Sequence, residues 1–548
     1  MVRSTFFGFE ASKSALFSSQ KALDIVGNNL ANANTDGYTR QRVETTATTY
    51  SASINRFSTS TVGQAGAGVT TLGVSQIRDQ FIDKNYRGEL SDSSYYGKAK
   101  EILTEIQGAI PDAADITTNS GLTGALENIY TALSKYVQNP TYESEANIVK
   151  SSFASMVQVL HDASNSLGEI EARETADLGT TVDRVNTILQ NIQLNNSAIS
   201  TQKNSLSTTD SAYFSPNELM DRQNLLLDEL SKYTNISVSQ NPDKTVNVSF
   251  VNADSTETQV VNGADTSSKV ATLSNKDANN KDTTTLTLTT YTKQSDGTFK
   301  ASDPAAFSSK SGTLKSYVDV LTGNGAKATA TGEGTTQGIP YYRTMLDSFA
   351  KKLVEVANKA IPTDKDNLTT YKTLLGAKAA DGTVSTTEKV TAANIAISSE
   401  WAKDSGYFIF NKNDNVEDYA QLLLTKISGK GDEKFQFGAF TKDSNSDGTL
   451  DAYDDSSETF TGNFENYVTN MVGKIGTDVS ANTNSYTAKK AVADDFLSQR
   501  ESNSGVQRDE ETANMLVYQK AYQASARIMS VMDNLLDTLI NDLGAKIS

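Results

Sequence analysis

A chain of 548 residues is longer than one hydrophobic core serves, since cores stop growing near about 250–300 residues, so several domains are expected. With 49 basic against 66 acidic residues the net charge is −17, a field that repels nucleic acid, and the lack of cysteine removes disulfides, thiolate zinc sites and cysteine nucleophiles together. An apolar fraction of 37%, with abundant Thr, Ser, Asn and Asp, points to modest cores and polar helices, strands and loops.

The first thirty residues contain no uninterrupted apolar run, because Glu10, Lys13 and Lys21 punctuate them, so no Sec-type signal peptide is read there. Nowhere do eighteen apolar residues run together, and no transmembrane helix is expected. From Thr5 to Ala33 the spacing predicts a helix whose narrow seam is Phe9, Leu16, Leu23 and Leu30, with Val26 between them, and Gly37 is expected to supply its left-handed stop. A polar strand-like segment follows to about Gln80.

Most of 91–207 reads as helix, with Leu178, Val182, Val185, Leu189, Ile192, Asn196 and Ile199 alternating spacings of four and three, as long packed helices do. A further helix is predicted from Ser215-Pro216-Asn217-Glu218 to about Tyr233, with Ser215 as cap and Glu218 closing a capping box. Period two then takes over in Ile236, Val238, Val246, Val248 and Phe250 around the turn Asn241-Pro242-Asp243, which is a hairpin. Thr-, Gly- and Asp-rich sequence to about Gly338 reads as polar strands. A helix over 341–361 places Leu346, Phe349, Leu353, Val356 and Ala360 on one face, and a second polar insertion runs to about Thr461. Helices resume at Phe464.

The C-terminal helix is the strongest periodic signal: Met515, Tyr518, Tyr522, Ser525, Met529, Met532, Leu536, Leu539 and Leu543 alternate three and four, broken only by Ser525. The expected fold class is α+β multidomain, with long terminal helices forming a coiled-coil core, a helical body, and polar β-rich inserted domains. The boundaries read from these patterns are 1–90 for the N-terminal helix and strand-like segment, 91–235 for the helical body, 236–340 for a β-rich insertion, 341–361 for a helix returning to the body, 362–463 for the second insertion, and 464–548 for the C-terminal helices.

Catalytic constellations find little support. The single histidine, His161, excludes triads and multi-imidazole metal sites; no G-x-S-x-G is present, and no Gly-Lys pair is followed by Ser or Thr as a P-loop requires, so no enzyme is expected. One segment carries coordination chemistry. Asp443, Asn445, Asp447, Thr449, Asp451 and Asp454 stand at the ligand positions of a twelve-residue calcium loop, with Gly448 at its sharp turn, Thr449 offering a backbone carbonyl and Leu450 an apolar anchor. Position twelve is the shorter Asp instead of Glu, and no clear helix flanks the loop, so the alternative of a solvated acidic turn stays open; calcium would be a local staple and no cofactor is required. Trp401 with Tyr407, Phe408 and Phe410 reads as aromatic residues alternating on a strand around a small core, with a carbohydrate site as the alternative.

The ends carry a resemblance. Ser4-Thr5-Phe6-Phe7-Gly8 and the run Ala22-Leu23-Asp24-Ile25-Val26-Gly27-Asn28-Asn29-Leu30 through Thr35-Asp36-Gly37-Tyr38 are similar to the N-terminus shared by bacterial flagellar rod, hook and junction proteins. Thr39-Arg40-Gln41-Arg42-Val43 resembles the hook-associated branch of that family. Asp509-Glu510-Glu511-Thr512-Ala513-Asn514-Met515, Tyr518 through Arg527, and Asn217 through Ser231 are similar to the same branch. The insertions resemble nothing nameable.

The resemblance implies a structural subunit at the junction of hook and filament, secreted through the flagellar type III channel, extracellular in the flagellum, and forming a ring of about eleven copies by family analogy. It also implies hook protein, a second junction protein, a cytoplasmic export chaperone and other copies of the chain as partners, with no nucleic acid and no membrane insertion. The physical reading agrees that each terminal seam is too sparse to bury alone and orders against partners. Two rival classes stay open: another axial flagellar subunit, of hook or filament, and a calcium-dependent secreted surface adhesin.

Overall fold

The computed structural model describes residues 5–48, 68–110, 121–140, 142–205, 215–265, 268–277, 279–325, 336–364, 367–408, 416–428, 434–442, 452–454 and 460–538. The architecture is α+β, as expected: long helices at both ends, a helical body, and several small antiparallel sheets between them.

Helix α1 (Thr5–Ala31) runs into a hairpin of β1 (Gln41–Ala47) and β2 (Val69–Gln76), which pair antiparallel from Gln41↔Gln76 to Ala47↔Val69. The body follows as α2 (Gln80–Ala109), α3 (Gly121–Gln138), α4 (Glu143–Asn204) and α5 (Asn217–Tyr233). At 62 residues α4 spans about 93 Å and is the mast on which everything else hangs. Its four-three positions Leu178, Val182, Val185, Leu189, Ile192, Asn196 and Ile199 are all buried.

Two asparagines on α4 grip the β insertion. Asn196 donates to the Val246 carbonyl and accepts from its amide, both at 3.0 Å, on β4 (Val246–Val251), which pairs with β3 (Ile236–Gln240) and β5 (Glu257–Val261). Ten residues earlier Asn186 does the same to Leu273, in the sheet of strands Thr272–Lys276, Asp282–Thr289 and Ala305–Ala306. An amide side chain matches a strand's donor-acceptor pair, so a buried polar residue here joins helix to strand.

Helix α6 (Thr313–Thr322) and α7 (Ile339–Asn358) return to the body, and α7 buries Leu346, Phe349 and Leu353 fully. It begins two residues before the sequence expectation, at Ile339-Pro340, and stops at Asn358, so Ala360 and Ile361 are buried beyond its end. Short helices α8 (Ser399–Lys403) and α9 (Val416–Ser428) punctuate the second insertion. His161 on α4 holds it through Nε2 and the Ile395 carbonyl, 2.8 Å apart, and Asp347 on α7 accepts from the Ala392 amide at 2.7 Å. Helix α10 (Phe464–Ser504) lies antiparallel to α2, with Lys489 on Glu89 and Asp92, and Arg500 on Asp228, before α11 (Arg508–Asp537) returns along α1.

Three local readings are corrected. Helix α1 ends at Ala31, so Gly37, although at φ +77°, is no helix stop; it turns the chain after a run of tight turns and packs against Leu225, where a Cβ would collide. Pro216 takes the cap position of α5, and Ser215 donates its hydroxyl to Asn217 Oδ1 at 2.7 Å, so no capping box forms. Trp401 sits on α8, whose cap Ser398 accepts from the Trp401 amide, and not on a strand; its ring is fully buried edge-on to Phe153 with centroids 5.5 Å apart. Tyr407 follows in a 3-10 turn, the Phe408 side chain and Phe410 lying outside the described residues.

Candidate functional site: the paired terminal helices and their elbow

Helices α1 and α11 form an antiparallel pair: at one end Gly8 closes on the Met532 side chain, and at the other Asn29 bonds Glu511. A Cβ at position 8 would meet the Met532 methyl, which would have to swing aside. Along α11 Met515, Tyr518, Tyr522, Met529, Met532 and Leu536 are half-buried and Ser525 is buried, so the residues of the predicted seam share one face; Leu539 and Leu543 lie outside the described residues. On α1 Phe9, Leu16, Leu23 and Leu30 are half-buried and Val26 is buried. The face they belong to is wider than the seam read from spacing, for Ser12, Ala22, Ile25 and Asn29 are buried beside it.

The same helix carries a second apolar stripe that spacing analysis passed over. Val517, Ala521, Ala524, Ile528, Val531 and Leu535 alternate four and three residues, roughly 110° round α11 from the first seam at about 100° per residue. All six are exposed, Val517 at 62%, Ile528 at 51%, and Val531 and Leu535 each at 57%. Scattered exposed aliphatics are ordinary, but a heptad row of them is a helix-packing surface lacking its helix.

The pair is fixed to the body by an elbow of polar residues. Asn29 is 1% exposed and fully satisfied: its amide donates to the Gln41 carbonyl at 2.9 Å and to Glu511 at 3.1 Å, while its oxygen accepts from the Gln41 amide and the Tyr38 hydroxyl. Arg40 holds Glu511 through Nε at 2.7 Å and Glu510 through both terminal nitrogens, and its own amide donates to the Ser504 carbonyl. Glu511 is buried, so its charge depends on Arg40 and Asn29. These residues belong to the family-like motifs, which flagged them without showing that they meet across 482 positions of chain.

Behind the elbow a second set of charges ties α2, α5 and α10 together. Arg500 and Arg87 bracket Asp228 at 2.7 Å each, Arg78 forks onto Asp83, and Arg500 lies over the Tyr86 ring. Burial alone would raise the Asp228 carboxyl, but Arg87 and Arg500 outweigh it and hold it below the usual carboxylate range. Asp221 accepts from the Thr39 amide and from Gln76, yet burial pushes it up. Tyr38 is raised to about 12 by burial and by the nearby carboxylates of Asp221, Glu218 and Glu511. Together with the Arg78–Thr39 hydrogen bond at 3.1 Å, these groups tie the chain that follows α1 to α2, α5 and α10.

Of the calcium-loop positions, Asp443, Asn445, Asp447, Thr449 and Asp451 lie outside the described residues; Asp454 ends the strand Ala452–Asp454, which pairs with Ala439–Lys442, and its side chain is likewise outside them. Among the described residues no cluster of three His, Asp or Glu side chains could hold a metal, and no helix is long and apolar enough to cross a membrane.

Comparison with known proteins matches these parts in turn. Residues 9–39 match the family described as Flagella basal body rod protein, and 497–543 match Flagellar basal body rod FlgEFG protein C-terminal, which together cover most of α1, Asn29, Tyr38 and Glu511 of the elbow, and α11. Residues 113–366 match Flagellar hook-associated protein FlgK helical domain. The stem thus has the ends of a flagellar axial protein. Flagellar hook-associated protein 1 of Bacillus subtilis (strain 168) is 28% identical over 560 residues, 99% of each chain, and that of Salmonella typhimurium is 24% identical over 96% of this chain and 98% of its own. The flagellar hook junction protein of Burkholderia pseudomallei superposes on 54% of this chain and 47% of its own, at TM-score 0.38 and 15% identity. Along almost its whole length the chain is thus similar to flagellar hook-associated protein 1.

Proposed function

We propose that the protein is the structural junction subunit between flagellar hook and filament, and that it assembles through its paired terminal helices. The observation that carries this reading is the two-sided α11. One seam is covered by α1 of the same chain, and the other is a heptad row with no cover among the described residues. The occupant of that second stripe is a terminal helix of a neighbouring copy, so that copies close into a ring with the stems inside and the insertions outward.

The energetics fit a subunit that waits before assembling. Burying Val517, Ile528, Val531 and Leu535 is worth about 1.5–3 kcal/mol each, while association costs about 4–15 kcal/mol. One such contact is therefore weak, and a closed ring, in which each copy makes two and docks on a pre-existing hook, is stable. Export through the type III channel, prior holding of the C-terminal region by a chaperone, and contact with the hook protein and a second junction protein complete the proposal, and the likeness to flagellar hook-associated protein 1 supports each of them.

The test is complementation of a deletion strain with Val531→Asp/Leu535→Asp. Export of the variant, with bare hooks, flagellin lost to the medium and no swimming, is the expected result. Filaments restored to the wild-type level would contradict the assembly role of the stripe.

A further inference from the structure

Between the first turns of α2, helix α5 and the β3–β4 hairpin lies a cleft of about 310 Å³, bordered by Arg78, Asp83 and Arg87 of the charge set behind the elbow. Its floor is apolar, made by Met220, Leu227, Ile236, Val238 and Val246, and the Gln80 amide reaches across to Gln240 at 3.3 Å. In a chain of net charge −17 its walls and rim gather Arg78, Lys84, Arg87 and Lys244 against the single carboxylate of Asp83.

The four cations divide into two kinds. Arg78 and Arg87 are committed, to Asp83 and Asp228. The side-chain amines of Lys84 and Lys244 make neither a hydrogen bond nor an ion pair among the described residues. Lys244 also occupies a position where lysine is unusual. The hairpin tip Asp243-Lys244-Thr245 is the same turn as Asp296-Gly297-Thr298 and Asp381-Gly382-Thr383: in each the Asp carboxylate accepts from the Thr amide and hydroxyl, and the middle residue is left-handed. Those two turns place glycine there, and a further turn of the same kind, Asp254-Ser255-Thr256, places serine at φ +65°; the one beside the cleft places a lysine at φ +71°. Phe81, three residues before Lys84 on α2 and outside the cleft lining, is 70% exposed.

We propose that this cleft is a docking site for an acidic segment of a partner protein, one apolar side chain of which enters over Met220 and Leu227 while flanking carboxylates meet Lys84 and Lys244. A pocket of this size with an apolar floor and a few placed charges suits a short peptide motif, and complementary charge on the rim sets which motif is admitted. The site lies on the body, separate from the stem, and the inference does not depend on how the stem assembles.

Fluorescence anisotropy with three synthetic octapeptides and the full chain tests it. A Glu/Leu peptide is expected to bind the wild type at least about tenfold more tightly than a Glu/Ser or a Lys/Leu peptide, and to lose about tenfold on Lys84→Glu/Lys244→Glu, with binding weakened by salt. Should that variant misfold by circular dichroism, Lys84→Gln/Lys244→Gln carries the same comparison with a smaller loss. Glu/Leu binding that is absent, matched by Glu/Ser, or unchanged in the lysine variant overturns the proposal. A photo-cross-linker on a cysteine introduced at position 240, which lines the cleft without supplying a charge and is unique because the chain has no cysteine, extends the test to assembled flagella. The attached peptide is expected to combine carboxylates with an apolar residue; an attached peptide lacking carboxylates, or no attachment, counts against it.

Discussion

Helices α4 and α11 are written in the same four-three pattern, yet one is complete and the other is not. In the body, Leu178, Leu189 and Ile192 of α4 are wholly buried, because α5, two small sheets and α7 of the same chain pack round it. In the stem, the seam of α11 is only half-buried against α1, and Glu511 and Ser525 are its only buried residues among those described. Periodicity therefore reports that a helix packs, and not how many partners its own chain supplies. A two-helix antiparallel pair of this length is marginal alone; the elbow holds one end of it, and on the proposed assembly neighbours would cover its bare stripe.

That contrast is broken most forcefully in the body, which Leu189→Ala destabilises by about 2–5 kcal/mol, read as a lower denaturant midpoint for α2, α4 and α5 together. At the elbow Glu511→Ala leaves Arg40 Nε and the Asn29 amide without their shared acceptor while Glu510 still holds the Arg40 terminal nitrogens, at a cost of about 1–3 kcal/mol, and the loss is confined to the stem: amide exchange in α1 and α11 accelerates while α4 stays protected.

A pH experiment separates body from stem by charge. Asp347, on α7, is pushed by burial to about 6, above the ordinary 3.8. A raised carboxyl contributes stability below the ordinary value and loses it as pH rises through the folded one, so the body weakens by about 2–3 kcal/mol between pH 4 and 7 on this group's account. Asp347→Asn keeps the oxygen that accepts from Ala392, and is expected to flatten that part of the pH profile in thermal melts. Asp228 has the opposite sign: held low by Arg87 and Arg500, it stabilises above the carboxylate range and gives that up in acid. The smallest effect is the most informative. Val531→Asp/Leu535→Asp changes the melting of the isolated chain by no more than about 0.5 kcal/mol, since both side chains are already in water, while abolishing assembly.

How much of this was legible in sequence follows from the physics of each feature. The seam from Met515 to Leu536 was readable because apolar spacing is local, and so was the packed face of α4. The bare stripe was equally present in the spacing of Val517, Ala521, Ala524, Ile528, Val531 and Leu535, and was overlooked because the larger side chains of the first seam dominate the same helix. The elbow was not legible: Asn29, Arg40 and Glu511 are polar, without period, and hundreds of residues apart, so only the fold could bring them together. Trp401 was misplaced on a strand because five helical residues capped by Ser398 are too short for a period to register. The acidic loop beginning at Asp443 repeats, in Ser446-Asp447-Gly448-Thr449, the tetrapeptide Ser295-Asp296-Gly297-Thr298, which forms a hairpin tip through its own Asp–Thr hydrogen bonds, so its spacing alone does not separate a calcium loop from a turn.

The central claim is that the second stripe of α11 is covered by another copy of the chain. Because the sequence has no cysteine, a photo-reactive probe on Val531→Cys has one attachment point, and irradiation of purified flagella carrying it reads the neighbour directly. Cross-linked species at the mass of two copies, with the attached peptide in a terminal helix, are the predicted result; a probe that reacts only with its own chain or with solvent would contradict the account.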